Sequence, residues 1–370
     1  MIRSDLVRVL RVRLLEQLEA AGADGLFVFR DSNLLGFCGL PLGPSDRLVC
    51  GLVNRGGEAA VVLPAFEAEV ARDCDCVDRV TAWEEHEDPF AALAQTAEAL
   101  GLGTGRILLD SHTWLHTRQS LKKALPRASL EADGEVIGAV RIAKHPQEVE
   151  AIRAACQDAA ETYAFLGPRL REGLSETDLC EDAARHLRQS GSNPVCLLIQ
   201  GGQTASVPHA AAGNRRIVEG DAVVVDCVCR KHGYHGDLTR TLAVGRPADE
   251  VRAAYRVVRT AQQAAINMIR PGVSCEAVDA AARSVIEQAG LGRFFTHRLG
   301  HGIGLDGHEP PYLRRGNPQM LAPGMCMTVE PGVYVPGRFG IRVEDVVVVT
   351  DAGCEVLSKD LATGVSPALA

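Results

Sequence analysis

The stretch that decides the fold is AVVVDCVCRKHGYHGDLTRTLAV, residues 222–244. Two runs of apolar and alternating residues flank a short polar segment around Lys231–His235, which reads as strand, turn, strand. With a symmetric turn centred between Lys231 and His232, Asp226 stands directly opposite Asp237. Directly opposed residues share a face, with Cβ atoms about 5 Å apart. A second stretch, MTVEPGVYVPGRFGIRVEDVVVV at 327–349, repeats the pattern. With its turn centred on Gly337, Glu330 stands opposite Glu344. Helical sequence precedes each hairpin at some distance, so the second part of the chain carries an approximate internal repeat.

Single acids on strands are usually solvated. Four acids at matched hairpin positions, within runs such as VVVD, are a different matter. Like charges held this close repel, and a polycation resolves the cost. Hard divalent ions favour oxygen ligands, and an added imidazole widens the choice to manganese, cobalt, iron or zinc. FFTHRLGHGIGLDGHEPP, 294–311, supplies that imidazole: glycines 300, 302 and 304 let the backbone pack tightly about His301, between His297 and His308. Four carboxylates and one histidine suit a two-metal site. Gly302, Gly304 and Gly307 also fit G-x-G-x-x-G, but no strand-to-helix turn is evident and Pro310-Pro311 closes the segment. His308-Glu309 does not begin HExxH, because Tyr312 stands where the second histidine would be. Upstream, GGQTASVPHAAAG at 201–213 places His209 in a loop of small residues.

The 370 residues are too many for one ordinary core, so two domains are expected. In the first part, 25–29, 48–53, 59–63 and 106–110 read as strands and 89–100 as helix, an α/β pattern. Residues 1–20 read as an amphipathic helix with Leu6, Val9, Leu10 and Leu14 on one face. His112 and His116, four apart, could share a helix face, but no third ligand accompanies them. A boundary falls near Ile142–Pro146, followed by helix from Pro146, helix at 251–269 ending before Pro271-Gly272, and helix at 275–289 ending at Gly290. Net charge is −8 and aromatics make up 4 %, which argues against a nucleic-acid surface. No apolar run reaches membrane-span length, and the N-terminus is too charged for a secretory signal. The 12 cysteines are therefore expected to be reduced, in the cytoplasm. Cys74/Cys76 and Cys227/Cys229 lack zinc-site spacing.

From about Lys144 onward these motifs, in this order, resemble the pita-bread catalytic domain of the aminopeptidase P, prolidase and creatinase superfamily. The first part resembles its N-terminal domain more loosely. The resemblance implies an α/β architecture: a creatinase-like α/β domain over 1–143, then a pita-bread α+β catalytic domain with a pseudo-twofold repeat over 144–370. It implies two divalent metal ions per chain, manganese first, then cobalt or zinc. Asp226 would chelate one ion, Asp237 and Glu344 would bridge, and His301 and Glu330 would hold the other. Glu330 would also take a proton from the metal-bridging water. His209 and His308 match histidines that contact substrate and the tetrahedral intermediate. His297 and Arg342 match supporting positions around the metals and join the candidates for substrate contact.

The implied reaction is hydrolysis of the bond before a proline, in short proline-containing peptides. A dipeptidase must bind the substrate's free carboxylate, for which a guanidinium fork is suited. YLRRGNPQ offers Arg314 and Arg315, and the hairpin tip offers Arg338; Arg315 is the one favoured. HEPPYLRRGN looks like bacterial prolidase sequence, which favours Xaa-Pro dipeptidase. Xaa-Pro aminopeptidase, and a hydrolase or lyase of a small non-peptide substrate on the same metal frame, remain as alternatives. The resemblance also implies a homodimer.

Overall fold

The computed structural model describes residues 4–43, 45–72, 74–358 and Leu369. They form two compact units, Met1–Arg141 and Ile142–Ala370.

The first unit opens with α1 (Ser4–Ala21), which buries Leu6, Leu10, Leu14 and Leu18, with Val7 beside them. Val9 is only half-buried, and residues 1–3 of the expected helix lie outside the described residues. There follow β1 (Gly25–Val28), α2 (Asp31–Cys38), β2 (Cys50–Asn54), β3 (Ala59–Pro64), α3 (Ala68–Arg72), β4 (Arg79–Trp83), α4 (Pro89–Ala99), β5 (Gly105–Leu109), α5 (Leu115–Ala124), β6 (Ala128–Ala132) and α6 (Val136–Ile142). The six strands make one mixed sheet in the order β4-β3-β2-β1-β5-β6. β1, β5 and β6 run parallel, whereas β2 is antiparallel to both β1 and β3. Phe27, Leu52, Val62 and Ile107 pack with Leu93 and Ala97 of α4 and Leu121 of α5. His112 precedes α5, so it does not share a helix face with His116.

The second unit runs α7 (Pro146–Leu166), α8 (Glu176–Gln189), β7 (Asn193–Gly201), β8 (Ala222–Lys231), β9 (Tyr234–Ala243), α9 (Asp249–Met268), α10 (Cys275–Gln288), β10 (Gly300–Gly302), β11 (Glu309–Leu313), β12 (Cys326–Val329), β13 (Gly332–Val335), β14 (Phe339–Arg342), β15 (Asp345–Val349) and β16 (Cys354–Val356). The repeat is visible in the helices. α7 and α8 have 21 and 14 residues, α9 and α10 have 20 and 14, and each pair precedes a long hairpin. The caps repeat too. Ser175 caps α8 and bridges to Arg216; Ser274 caps α10 and bridges to Met320. The buried face of α9, with Ala254, Val258, Ala261 and Ala265, packs with Val278 and Ile286 of α10 and with Met327, Val329 and Val347 of the sheet.

The first hairpin differs from the symmetric-turn expectation. Lys231 pairs with Tyr234, leaving His232-Gly233 as a two-residue turn. Both turn residues have positive φ, 51° and 89°. That is the turn whose twist matches a hairpin, and Gly233 takes its second position without steric cost. The register is therefore shifted: Asp226 faces Thr239, and Asp237 faces Val228. The two aspartates are diagonal neighbours on one face rather than directly opposed. In the second hairpin, Val329 pairs with Asp345 and Gly332 with Arg342, the paired positions that flank Glu330 and Glu344 on either side in the same register.

Candidate metal centre

Thr239 and Glu344 join the two hairpins. Glu344 N donates to Thr239 O at 3.0 Å, and Thr239 Oγ1 donates to Glu344 Oε2 at 2.7 Å. Beside this junction Arg342 N donates to Thr241 Oγ1, which in turn donates to Arg342 O. The seam places the acids of both repeats in one spot. Ligand atoms of Asp226, Asp237 and Glu344 lie within 4.8 Å of one another, as do those of His301, Glu330 and Glu344, and of Asp237, His301 and His308.

His301 reaches this group from β10, where side chains would not fit on either side. A Cβ at Gly300 would stand 2.0 Å from Thr328 O, and one at Gly302 would stand 2.2 Å from Pro310 O. His301 Nδ1 lies 3.1 Å from Gly302 O. A proton on Nδ1 satisfies that carbonyl and leaves the Nε2 lone pair facing the acids, 3.4 Å from Glu330 Oε1 and 3.8 Å from Asp237 Oδ2. Burial holds His301 neutral, its pKa lowered to about 3. The Gly302-Gly304-Gly307 segment opens no helix, as its sequence context indicates.

Burial and mutual repulsion also push three of the acids up. Glu330 rises to about 7, first through burial, and Asp237 and Glu344 stand well above the carboxylate range for the same reason. Two oxygens of the group, Asp226 Oδ1 and Asp237 Oδ1, are buried and accept no hydrogen bond. Buried acceptors ordinarily find a donor. Oxygen-rich and with acceptors left unpaired, this pocket fits hard divalent cations.

Around the acids stand residues that fix them. Arg342 Nη2 donates to Asp226 Oδ2 at 2.6 Å, and its Nη1 donates to Tyr334 OH at 3.0 Å. Tyr334 OH in turn lies 2.9 Å from Nε2 of His297, whose Nδ1 lies 2.7 Å from Arg298 O. His297 and Arg342 thus serve as props, and both are buried or nearly so. His308 is exposed, its ring centroid 3.8 Å from that of His301. His209 is exposed, near enough to His297 and His308 to help keep both neutral, after the larger effect of burial. Its loop is tied at both ends: Gly201 N and Gly213 N each donate to the Glu176 carboxylate. Its middle is tied by buried Gln200, whose Nε2 donates to the carbonyls of Val207, Pro208 and Ala210.

Arg315 is not drawn into this group; it is exposed and paired with Glu287 at 2.6 Å. Arg338 pairs with Glu250. Arg298 stands there instead, Nη2 3.4 Å from His308 Nδ1 and its guanidinium over the Tyr312 ring. Cys227 and Cys229 are buried on the other face of β8, where Cys229 Sγ meets Ala155 O.

Residues 150–351 match the model of metallopeptidase family M24, and residues 11–143 match that of the creatinase/prolidase N-terminal domain. The chain belongs to metallopeptidase family M24. "Probable dipeptidase PepE" of Mycobacterium tuberculosis is 36 % identical over 338 residues, 90 % of this chain and 89 % of that one. The Xaa-Pro dipeptidase of Lactobacillus helveticus is 31 % identical, over 94 % and 97 % of the two chains. The crystal structure of dipeptidase PepE from Mycobacterium ulcerans superposes with a TM-score of 0.88 at 31 % identity, covering 96 % of each chain. This M24 chain is therefore a metallopeptidase with a creatinase-type N-terminal domain and a pita-bread catalytic domain. Among the described residues no helix is long and apolar enough to cross a membrane.

Proposed function

We propose that this M24 peptidase is an Xaa-Pro dipeptidase that works with two divalent metal ions, manganese first among them. The observation that carries this is the pair of orphaned, buried carboxylate oxygens on Asp226 and Asp237. Asp226, Asp237 and Glu344 would hold one ion, and His301, Glu330 and Glu344 the other, with Asp237 shared. Bound cations of this kind acidify water and polarise a carbonyl.

The chain's own groups do the rest. Glu330, at the edge of the group, would accept a proton from water and pass it to the leaving nitrogen. His308 and His209, both exposed, would donate to the developing oxyanion. Arg298 is the guanidinium that can take the substrate's free carboxylate, a role that sequence reasoning gave to Arg315. The names of the M. tuberculosis and L. helveticus relatives support a dipeptidase over an aminopeptidase. Short proline-containing peptides are the expected partners, within a homodimer. A cytoplasmic setting suits twelve unbonded cysteines.

The test is hydrolysis of an Xaa-Pro dipeptide and of a longer Xaa-Pro-Xaa peptide with manganese, beside an Asp237→Ala control. Cleavage of the dipeptide alone, lost in the control, supports the reading. Release of the first residue from the longer peptide would make the chain an aminopeptidase. Cleavage of neither, with metal bound, would favour a small non-peptide substrate.

A further inference from the structure

The first unit holds a cavity of about 500 Å³ whose lining, among the described residues, comes from residues 29–117. Its size falls in the range of small-molecule sites, roughly 300–1,000 Å³. One wall is aromatic. Trp83 is buried, its ring fixed by an Nε1 bond to Leu48 O at 3.1 Å, and Phe90 lies along the same lining. Trp114 stands at the rim, 56 % exposed although it is a large apolar ring. The cavity also has a cationic side. Arg30 and His112 both line it, with Arg30 Nη1 2.6 Å from His112 Nε2.

That cationic side is built. Asp110, 1 % exposed, accepts from both Phe29 N and Arg30 N, at 2.8 and 2.9 Å. It also accepts from Thr113 Oγ1, so one buried carboxylate ties down the strand end bearing Arg30 and the turn bearing His112. Holding a guanidinium and an imidazole in fixed relation lowers the entropic cost of ligand capture. A guanidinium fork with a neighbouring imidazole suits a planar carboxylate. Glu87, exposed on the same lining, offers an acceptor for an ammonium group.

We propose that this cavity is a second, non-catalytic site for a short peptide, held by its C-terminal carboxylate at Arg30 and His112 and by an apolar side chain against Trp83, Phe90 and Trp114. Only the choice of proline dipeptide as ligand rests on the proposed activity. Occupancy by the enzyme's own substrate or product would let peptide supply act on the chain away from the metal centre.

The composition provides the test. The chain has two tryptophans, Trp83 and Trp114, and both line this cavity. Tryptophan emission of the full-length Asp237→Ala chain, which leaves peptide uncut, is titrated with phenylalanyl-proline and with its C-terminal amide. Binding by the charge-assisted contact predicts a saturable change with the acid and one at least about tenfold weaker with the amide. Arg30→Gln and His112→Gln, both changes in part-exposed side chains, should each raise the half-saturating concentration by about tenfold or more. No change with the acid, an equal response to the amide, or saturation unaltered in both variants would overturn the proposal. Because hydrolysis is absent throughout, failure of the dipeptidase assignment appears in the peptide assay and not here.

Discussion

Arg342 Nη2 lies 2.6 Å from Asp226 Oδ2, with Arg342 2 % exposed and Asp226 9 %. Among the described residues this is the one arginine or lysine paired with these four crowded acids, and it engages one oxygen of Asp226 while the other stays orphaned. Arg342 therefore orients Asp226 without consuming its ligand capacity. Tyr334 and His297 complete the line behind it. Outer partners of metal ligands commonly set affinity by about 10–100-fold.

Tyr334→Phe should accordingly weaken manganese binding by about tenfold while the fold survives, since only the hydroxyl between Arg342 and His297 is lost. Manganese titration by calorimetry, beside a thermal melt of the metal-loaded protein, checks it. Unaltered metal affinity would mean that Arg342 is held well enough by Thr239 and Pro208 O, its other contacts.

Glu330 gives a pH dependence. Its pKa rises from 4.5 to about 7 in the metal-free fold, chiefly through burial. A carboxyl raised this way binds more protons folded than unfolded between those values, so its contribution falls as pH rises. It is fully favourable below pH about 4.5, is lost progressively, and is at its most unfavourable above about 7. Cations reverse this by pairing with the ionised form. The rise in Tm on adding manganese should thus be larger at pH 8 than at pH 5; an equal or opposite trend counts against the acids' coupling to metal.

Gln200 donates to three carbonyls of the His209 loop and is fully buried. Gln200→Leu strands those carbonyls, at a cost of about 1–3 kcal/mol for the buried acceptors. The expected result is lower kcat/KM on the dipeptide with manganese stoichiometry intact. Equal loss of metal and activity would show that the loop supports the acids themselves.

Lys144 Nζ sits 2.7 Å from Glu309 Oε1, the pair only 1 % and 6 % exposed. Glu309 Oε2 also accepts from Asp306 N, so the pair pins the segment between His301 and His308. Lys144→Met leaves a buried charge and should cost about 3–5 kcal/mol in urea unfolding, part of it recovered in Lys144→Met/Glu309→Leu. A loss below about 1 kcal/mol would place the pair in contact with water.

Arg298→Ala should raise KM for a dipeptide by about tenfold or more, as expected for one charged hydrogen bond, while Arg315→Ala should leave it unchanged. The reverse pattern would restore the role that sequence reasoning gave to Arg315.

The acids were legible in sequence because they punctuate apolar runs at matched places in two hairpins. The register of the first was not, since a symmetric turn at Lys231–His232 competes with one at His232-Gly233. The positive-φ demand of the tighter turn decides it, and Gly233 is the residue that meets the demand. The second register followed from Gly337 at the loop centre. Tyr334, Gln200 and Arg298 carried no local signal. A tyrosine in an apolar strand, a glutamine ending a strand and one arginine among many acquire their roles only when distant segments meet.

The central claim is that these five side chains hold two metal ions. The most direct measurement is an anomalous difference map, at the manganese edge, from crystals of the protein grown with manganese. The account predicts two peaks per chain, one among Asp226, Asp237 and Glu344 and the other against His301 and Glu330. No peak at these residues, or peaks confined to another part of the chain, would contradict it.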